Sequence, residues 1–196
     1  MKRRFNVTGS CSPQLHYMVR LDDRLEKIKE DYVDYGSYFV INRGRQYGKT
    51  TTLKALAKYL SGEYVVLSLD FQQMGTEDFA DVATFAHAFA NALIEKLEIN
   101  GLDDRKELME PLMEVMDRDG NSLKDLFTRL SRMCRNSAQP IVLIIDEVDS
   151  AGNNQVFVDF LAQLRGYYLA RDEMPIFHSV VLAGVYSIKN LKLKLR

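Results

Sequence analysis

The chain has 196 residues, of which 46% are hydrophobic and 27% charged, the balance of an ordinary globular protein with one core. Its 26 basic and 27 acidic residues leave a formal net charge of -1, so no global field draws it onto nucleic acid or an anionic membrane. The main apolar run, residues 141–145, is far short of the roughly 20 residues that a membrane-spanning helix needs, so no membrane span is expected.

The start, Met1-Lys2-Arg3-Arg4-Phe5, is basic like the head of an export signal, but polar Asn6, Thr8, Ser10 and Ser12 stand where its apolar stretch would be. Cys11 and Cys134 lie far apart without the paired spacing of metal sites, and reduced thiols in a cytoplasmic protein are the simpler reading. The histidines His16, His87 and His178 are scattered and suggest surface or hydrogen-bonded side chains, not ligands.

In chain order, Leu21, Leu25 and Ile28 recur at helical spacing within the charged segment 21–34, which predicts an amphipathic helix. Tyr35-Gly36-Ser37 breaks it, and Tyr38-Phe39-Val40-Ile41 reads as a buried strand. Leu53, Leu56, Ala57 and Leu60 then mark a helix over 49–60, stopped by Ser61-Gly62. Residues 64–70 read as a second strand and 78–99 as a long helix closed by Asn100-Gly101. Residues 102–121 are charged, with Pro111 and Asp119-Gly120-Asn121 as turn signals, and are expected to form a surface helical insertion. Within it Met109, Met113 and Met116 form a helical stripe facing the core or a partner, with the core favoured. A helix over 122–134, the very apolar strand 141–145 after Pro140, a helix over 156–169 and a strand at 179–183 complete the reading. Strands alternating with helices predict one α/β domain over 1–196, a parallel sheet covered on both faces.

Between the first strand and its helix stands Asn42-Arg43-Gly44-Arg45-Gln46-Tyr47-Gly48-Lys49-Thr50-Thr51, the context that a P-loop requires. Backbone N–H groups of such a loop and of the helix start face phosphates, where the helix dipole favours negative charge. Gly44, Arg45, Gln46, Tyr47, Gly48, Lys49, Thr50 and Thr51 are therefore the candidate phosphate-binding residues. Lys49 is the mobile cation for the outer phosphates, Thr50 a magnesium ligand, and Gly48 the residue that leaves room for close approach. The usual first glycine is displaced, since Arg43 occupies its place and glycine follows at Gly44. Arg43 and Arg45 suit phosphate contact and a solvated loop equally.

The strand 141–145 runs into Asp146-Glu147, and acids at the end of a buried strand are costly unless paired or set at the rim where ligands sit in open α/β sheets. Asp146 is then the candidate metal residue with Thr50, and Glu147 the catalytic base that polarises the attacking water. The plainer alternative is that one of the acids caps the following helix, in which case Asp149 is the next candidate base.

These residues resemble bacterial AAA-like, STAND-related ATPases, which pair a Gly-Arg-Gln-x-Gly-Lys-Thr-Thr loop with an apolar strand ending in Asp-Glu-x-Asp, here 44–51 and Asp146-Glu147-Val148-Asp149. The likeness extends to Phe5-Asn6-Val7-Thr8-Gly9, to His16-Tyr17-Met18-Val19 and to residues 182–191. It implies a three-layer α/β/α P-loop fold of the ASCE type, adenine contact near 16–19, and a sensor residue near Tyr186 or Ser187. The resembling sequences commonly carry an acid at the place of Ser187 and continue past the place of Arg196, so a missing final strand and lid, and an exposed sheet edge beside the loop-bearing strand, are expected. The function implied is ATP and Mg2+ binding with hydrolysis coupled to a conformational or assembly change. The alternative is an ATP-dependent binding switch with little hydrolysis. A protein partner or self-association is expected in preference to nucleic acid, and a small-molecule kinase is disfavoured because Asp-Glu suits water activation better than transfer to a hydroxyl.

Overall fold

The computed structural model describes residues 4, 5, 11, 14–17, 19–42, 44 and 47–185. Its centre is a four-stranded, wholly parallel sheet of β1 (Tyr38–Asn42), β2 (Val65–Asp70), β3 (Ile141–Asp146) and β4 (Ser179–Gly184), in the order β1-β4-β3-β2. The last strand in sequence thus lies between β1 and β3, with Ile41 beside Ala183 and Ile145 beside Leu182. On the far side Asp70 stands in register with Asp146.

Helices α1 (Asp22–Ile28) and α2 (Lys49–Leu60) cover one face, and α3 (Val82–Ile99), α4 (Lys106–Met116), α5 (Leu123–Asn136) and α6 (Gln155–Leu169) the other. The two-residue period of β3 divides its side chains between these layers: Ile141, Leu143 and Ile145 join the larger core, while Val142 and Ile144 join the smaller. Every residue of β3 is buried, which explains its near-continuous apolar run.

Four elements differ from the sequence reading. Among the described residues β1, expected to be buried, is an edge strand with no buried residue and with Val40 and Asn42 exposed. The first helix stops at Ile28 and widens into a π-turn over Lys29–Val33, so Leu25 and Val33 are the buried residues. The long helix begins at Val82, not 78, because the Asp81 side chain accepts from Thr84 N–H at 2.9 Å and caps it, after a short 3-10 turn at Thr76–Phe79. Residues 102–121 are no surface insertion: α4 lies against α3 and α5, burying Leu108, Pro111, Leu112 and Val115. Pro111 is inside this helix, where it forgoes one helical hydrogen bond but fills the core. The methionines flank that buried stripe, with Met109 and Met116 packed on the core and Met113 exposed.

Candidate functional site

The parallel sheet brings the C-terminal ends of β1 and β3 to the same rim, and the candidate residues meet there. Gly48 adopts φ 71, a left-handed turn that lets the chain leave β1 and enter α2 at Lys49. A Cβ at Gly48 would meet no other part of the chain within 4 Å, so within the protein itself it is the backbone angle that requires glycine here. Gly44 is the crowded one, since a Cβ there would stand 3.2 Å from the Tyr47 ring. The first hydrogen bond of α2 is Thr52 N–H to Gly48 O at 2.9 Å, and the amides of Lys49, Thr50 and Thr51 precede it without helical acceptors.

Lys49 turns inward. Its ammonium donates to Glu147 Oε1 at 2.9 Å and lies 3.3 Å from Asp146 Oδ1. The Thr50 hydroxyl donates to Asp146 Oδ2 at 2.8 Å, and the Glu147 amide donates to Asp146 Oδ1 at 2.9 Å. Burial works against the lysine charge, but the hydrogen bond to Glu147 and the fields of both carboxylates outweigh it and hold the Lys49 pKa above its ordinary value. Asp146 is buried, whereas the Glu147 side chain keeps 30% of its surface in solvent.

Glu147 also has φ 53, an uncommon backbone for a residue with a side chain. It sits on the turn that leaves β3, not at a helix N-cap: α6 starts at Gln155 with Asn154 before it, and neither acid caps it. Asp149 is engaged elsewhere, accepting the Val185 amide at the end of β4. Gly184 leaves the room for that contact, since a Cβ there would stand 2.7 Å from the Asp149 carboxylate.

Of the predicted site residues, Lys49, Thr50, Asp146 and Glu147 come together, with Gly44, Tyr47, Gly48 and Thr51 on the adjoining loop and helix start. The Tyr47 ring is exposed, and the Thr51 hydroxyl accepts from the Cys11 amide at 3.1 Å, a contact from the N-terminal segment that the sequence did not announce. Arg43, Arg45, Gln46, Met18, Tyr186 and Ser187 lie outside the described residues. His16 pairs with Arg4 in an isolated bridge, and Tyr17 and Val19 are exposed. His178 Nε2 is buried without a hydrogen-bond partner, unlike the expected surface or hydrogen-bonded histidine.

Sequence comparison bears on this arrangement directly, since the AAA-like domain family matches residues 13–194. The chain belongs to the AAA-like domain family. A search of curated proteins gives no match. Membership places this AAA-like domain among nucleotide-binding, ATPase-type proteins and agrees with its parallel sheet flanked by helices. Among its described residues no helix is long and apolar enough to cross a membrane.

Proposed function

We propose that the chain binds ATP with magnesium between the 44–51 loop and the end of β3 and hydrolyses it, with Glu147 as the base, to drive a conformational or assembly change. The observation that carries this reading is the convergence of Thr50 on Asp146 at 2.8 Å and of Lys49 on Glu147 at 2.9 Å, from segments almost a hundred residues apart. The position of β4 between the loop-bearing and acid-bearing strands supports an ASCE-type P-loop core.

The donor set fits the ligand. Orphan amides at the start of α2 and the Lys49 ammonium suit phosphate oxygens. Thr50 and Asp146 offer two oxygens, enough for magnesium, which keeps several waters and takes few protein ligands. When bound, the ion neutralises charge on the phosphate oxygens. Lys49 has a second task. It occupies Glu147 in this structure, and in turning to phosphate it releases the carboxylate to accept a proton from water, so the base becomes free when the loop is filled.

The same contact carries a second reading. If Lys49 keeps hold of Glu147 with ATP bound, the chain is a nucleotide-dependent binding switch with little hydrolysis. We place either activity in the cytoplasm, acting on a protein partner or a further copy of the chain, since the balanced charge offers nucleic acid no footprint.

Calorimetry with magnesium ATP, followed by a phosphate-release assay, tests both readings. The parent should bind, and Lys49→Ala should bind at least about tenfold more weakly, the loss of one charge-assisted contact. Equal affinities would overturn the proposal, and binding without phosphate release would select the switch.

A further inference from the structure

The turn 146–150 is fastened to the sheet from two sides. On one, Val148 N–H donates to Ala183 O at 3.1 Å and the Val185 amide donates to the Asp149 carboxylate, both at the end of β4. On the other, the Ser150 hydroxyl reaches Phe71 O at 3.0 Å, just beyond β2, and Glu147 O at 2.8 Å. Between these fastenings Glu147 holds φ 53, a conformation that persists only where the surroundings over-determine it. The Asp149 carboxylate also lies against Gly184, where a Cβ would stand 2.7 Å from Oδ2.

We propose that Asp149 is the positioning residue of the site: by gripping the Val185 amide over Gly184, it fixes the left-handed turn that presents Glu147. The inference rests on the reading of Glu147 as the base that acts on water. It makes the end of β4 and the Glu147 turn one mechanical unit, so a displacement of β4 reaches the base through two hydrogen bonds.

The test compares Asp149→Ala, Asp149→Asn and Gly184→Ala with the parent by magnesium ATP affinity, by kcat for phosphate release and by amide hydrogen exchange over 146–150. For Asp149→Ala, affinity should stay within about twofold while kcat falls about 10²-fold, the effect of an ångström of misplacement. Exchange in the turn should quicken while the centre of β3 stays protected. Asp149→Asn keeps an acceptor oxygen for the Val185 amide and should recover most of the rate. Gly184→Ala pushes the carboxylate aside and should behave like Asp149→Ala, which keeps the idea testable if Asp149→Ala does not fold. Unchanged kcat or unchanged turn exchange in Asp149→Ala overturns the proposal. So does an Asp149→Asn as slow as Asp149→Ala, because the charge and not the grip would then matter. A parent that binds no magnesium ATP overturns the functional reading and this inference with it. Failure of the grip alone shows instead as a parent and an Asp149→Ala that bind and turn over alike.

Discussion

Replacing Lys49 by alanine should weaken the fold as well as nucleotide binding. A lysine on an exposed loop could be removed at little cost, but here the side chain is only 7% exposed and lies 3.3 Å from Asp146 and 2.9 Å from Glu147. Removing one partner of a buried pair typically costs about 3–5 kcal/mol, because the remaining charge is left uncompensated. Two features lower that figure. Glu147 keeps 30% of its side chain in water, which screens it, and Asp146 retains hydrogen bonds from the Thr50 hydroxyl and the Glu147 amide. A loss of about 2–3 kcal/mol remains, or about 4–12 °C in Tm for a chain of this size. The pH dependence has a definite sign. Since the folded protein holds the Lys49 pKa above 10.5, the ammonium contributes fully below that pH, and its contribution disappears as pH rises through the folded value. Thermal melts of parent and Lys49→Ala without nucleotide, from neutral pH to beyond 10.5, would therefore show a gap that narrows at the alkaline end. Identical melts at neutral pH would refute the pairing of Lys49 with the two carboxylates.

The two acids should separate by role: Glu147→Gln should keep magnesium ATP affinity while hydrolysis falls about 10²–10⁴-fold, and Asp146→Asn should lose magnesium dependence and affinity together, as calorimetry and phosphate release would show. Equal hydrolysis by the parent and Glu147→Gln would remove Glu147 as the base. Ser122 accepts from Asp125 N–H at 3.1 Å and caps α5, so Ser122→Ala should lower stability by about 1 kcal/mol, and an unaltered denaturation midpoint would contradict that. Among the described residues β1 has a strand on one side only, and open strand edges template association. Light scattering should then detect concentration-dependent oligomers, whereas a monomer at high concentration would count against this edge as a contact surface.

The order of strands and helices was legible because each strand of this sheet is a short apolar run and each covering helix a periodic one; β3, buried on both faces, is the clearest case. Element starts were less legible. Asp81 is as polar as the residues before it, and only its side-chain bond to Thr84 N–H shows that the helix begins there. Pro111 misled for a related reason, since a proline is a turn signal locally, yet the buried flank of Leu108, Leu112 and Val115 outweighs one missing hydrogen bond.

The pairing of loop and strand end was legible as chemistry before it was visible as geometry. Lys49-Thr50 and Asp146-Glu147 carry complementary charge and oxygen ligands, and the rim of a parallel sheet is where two strand ends can bring them together. What spacing could not supply is the support beneath them. The grip of Asp149 on Val185 joins a turn after β3 to the end of β4, 36 residues on, and a lone Asp and a lone Gly carry no local pattern that links them. Groups that touch a ligand tend to sit in compact motifs because one backbone segment must present several of them. The residues that hold those motifs in place answer to the tertiary packing instead, and for Asp149 and Gly184 only the sheet order, with β4 beside β3, makes the connection readable.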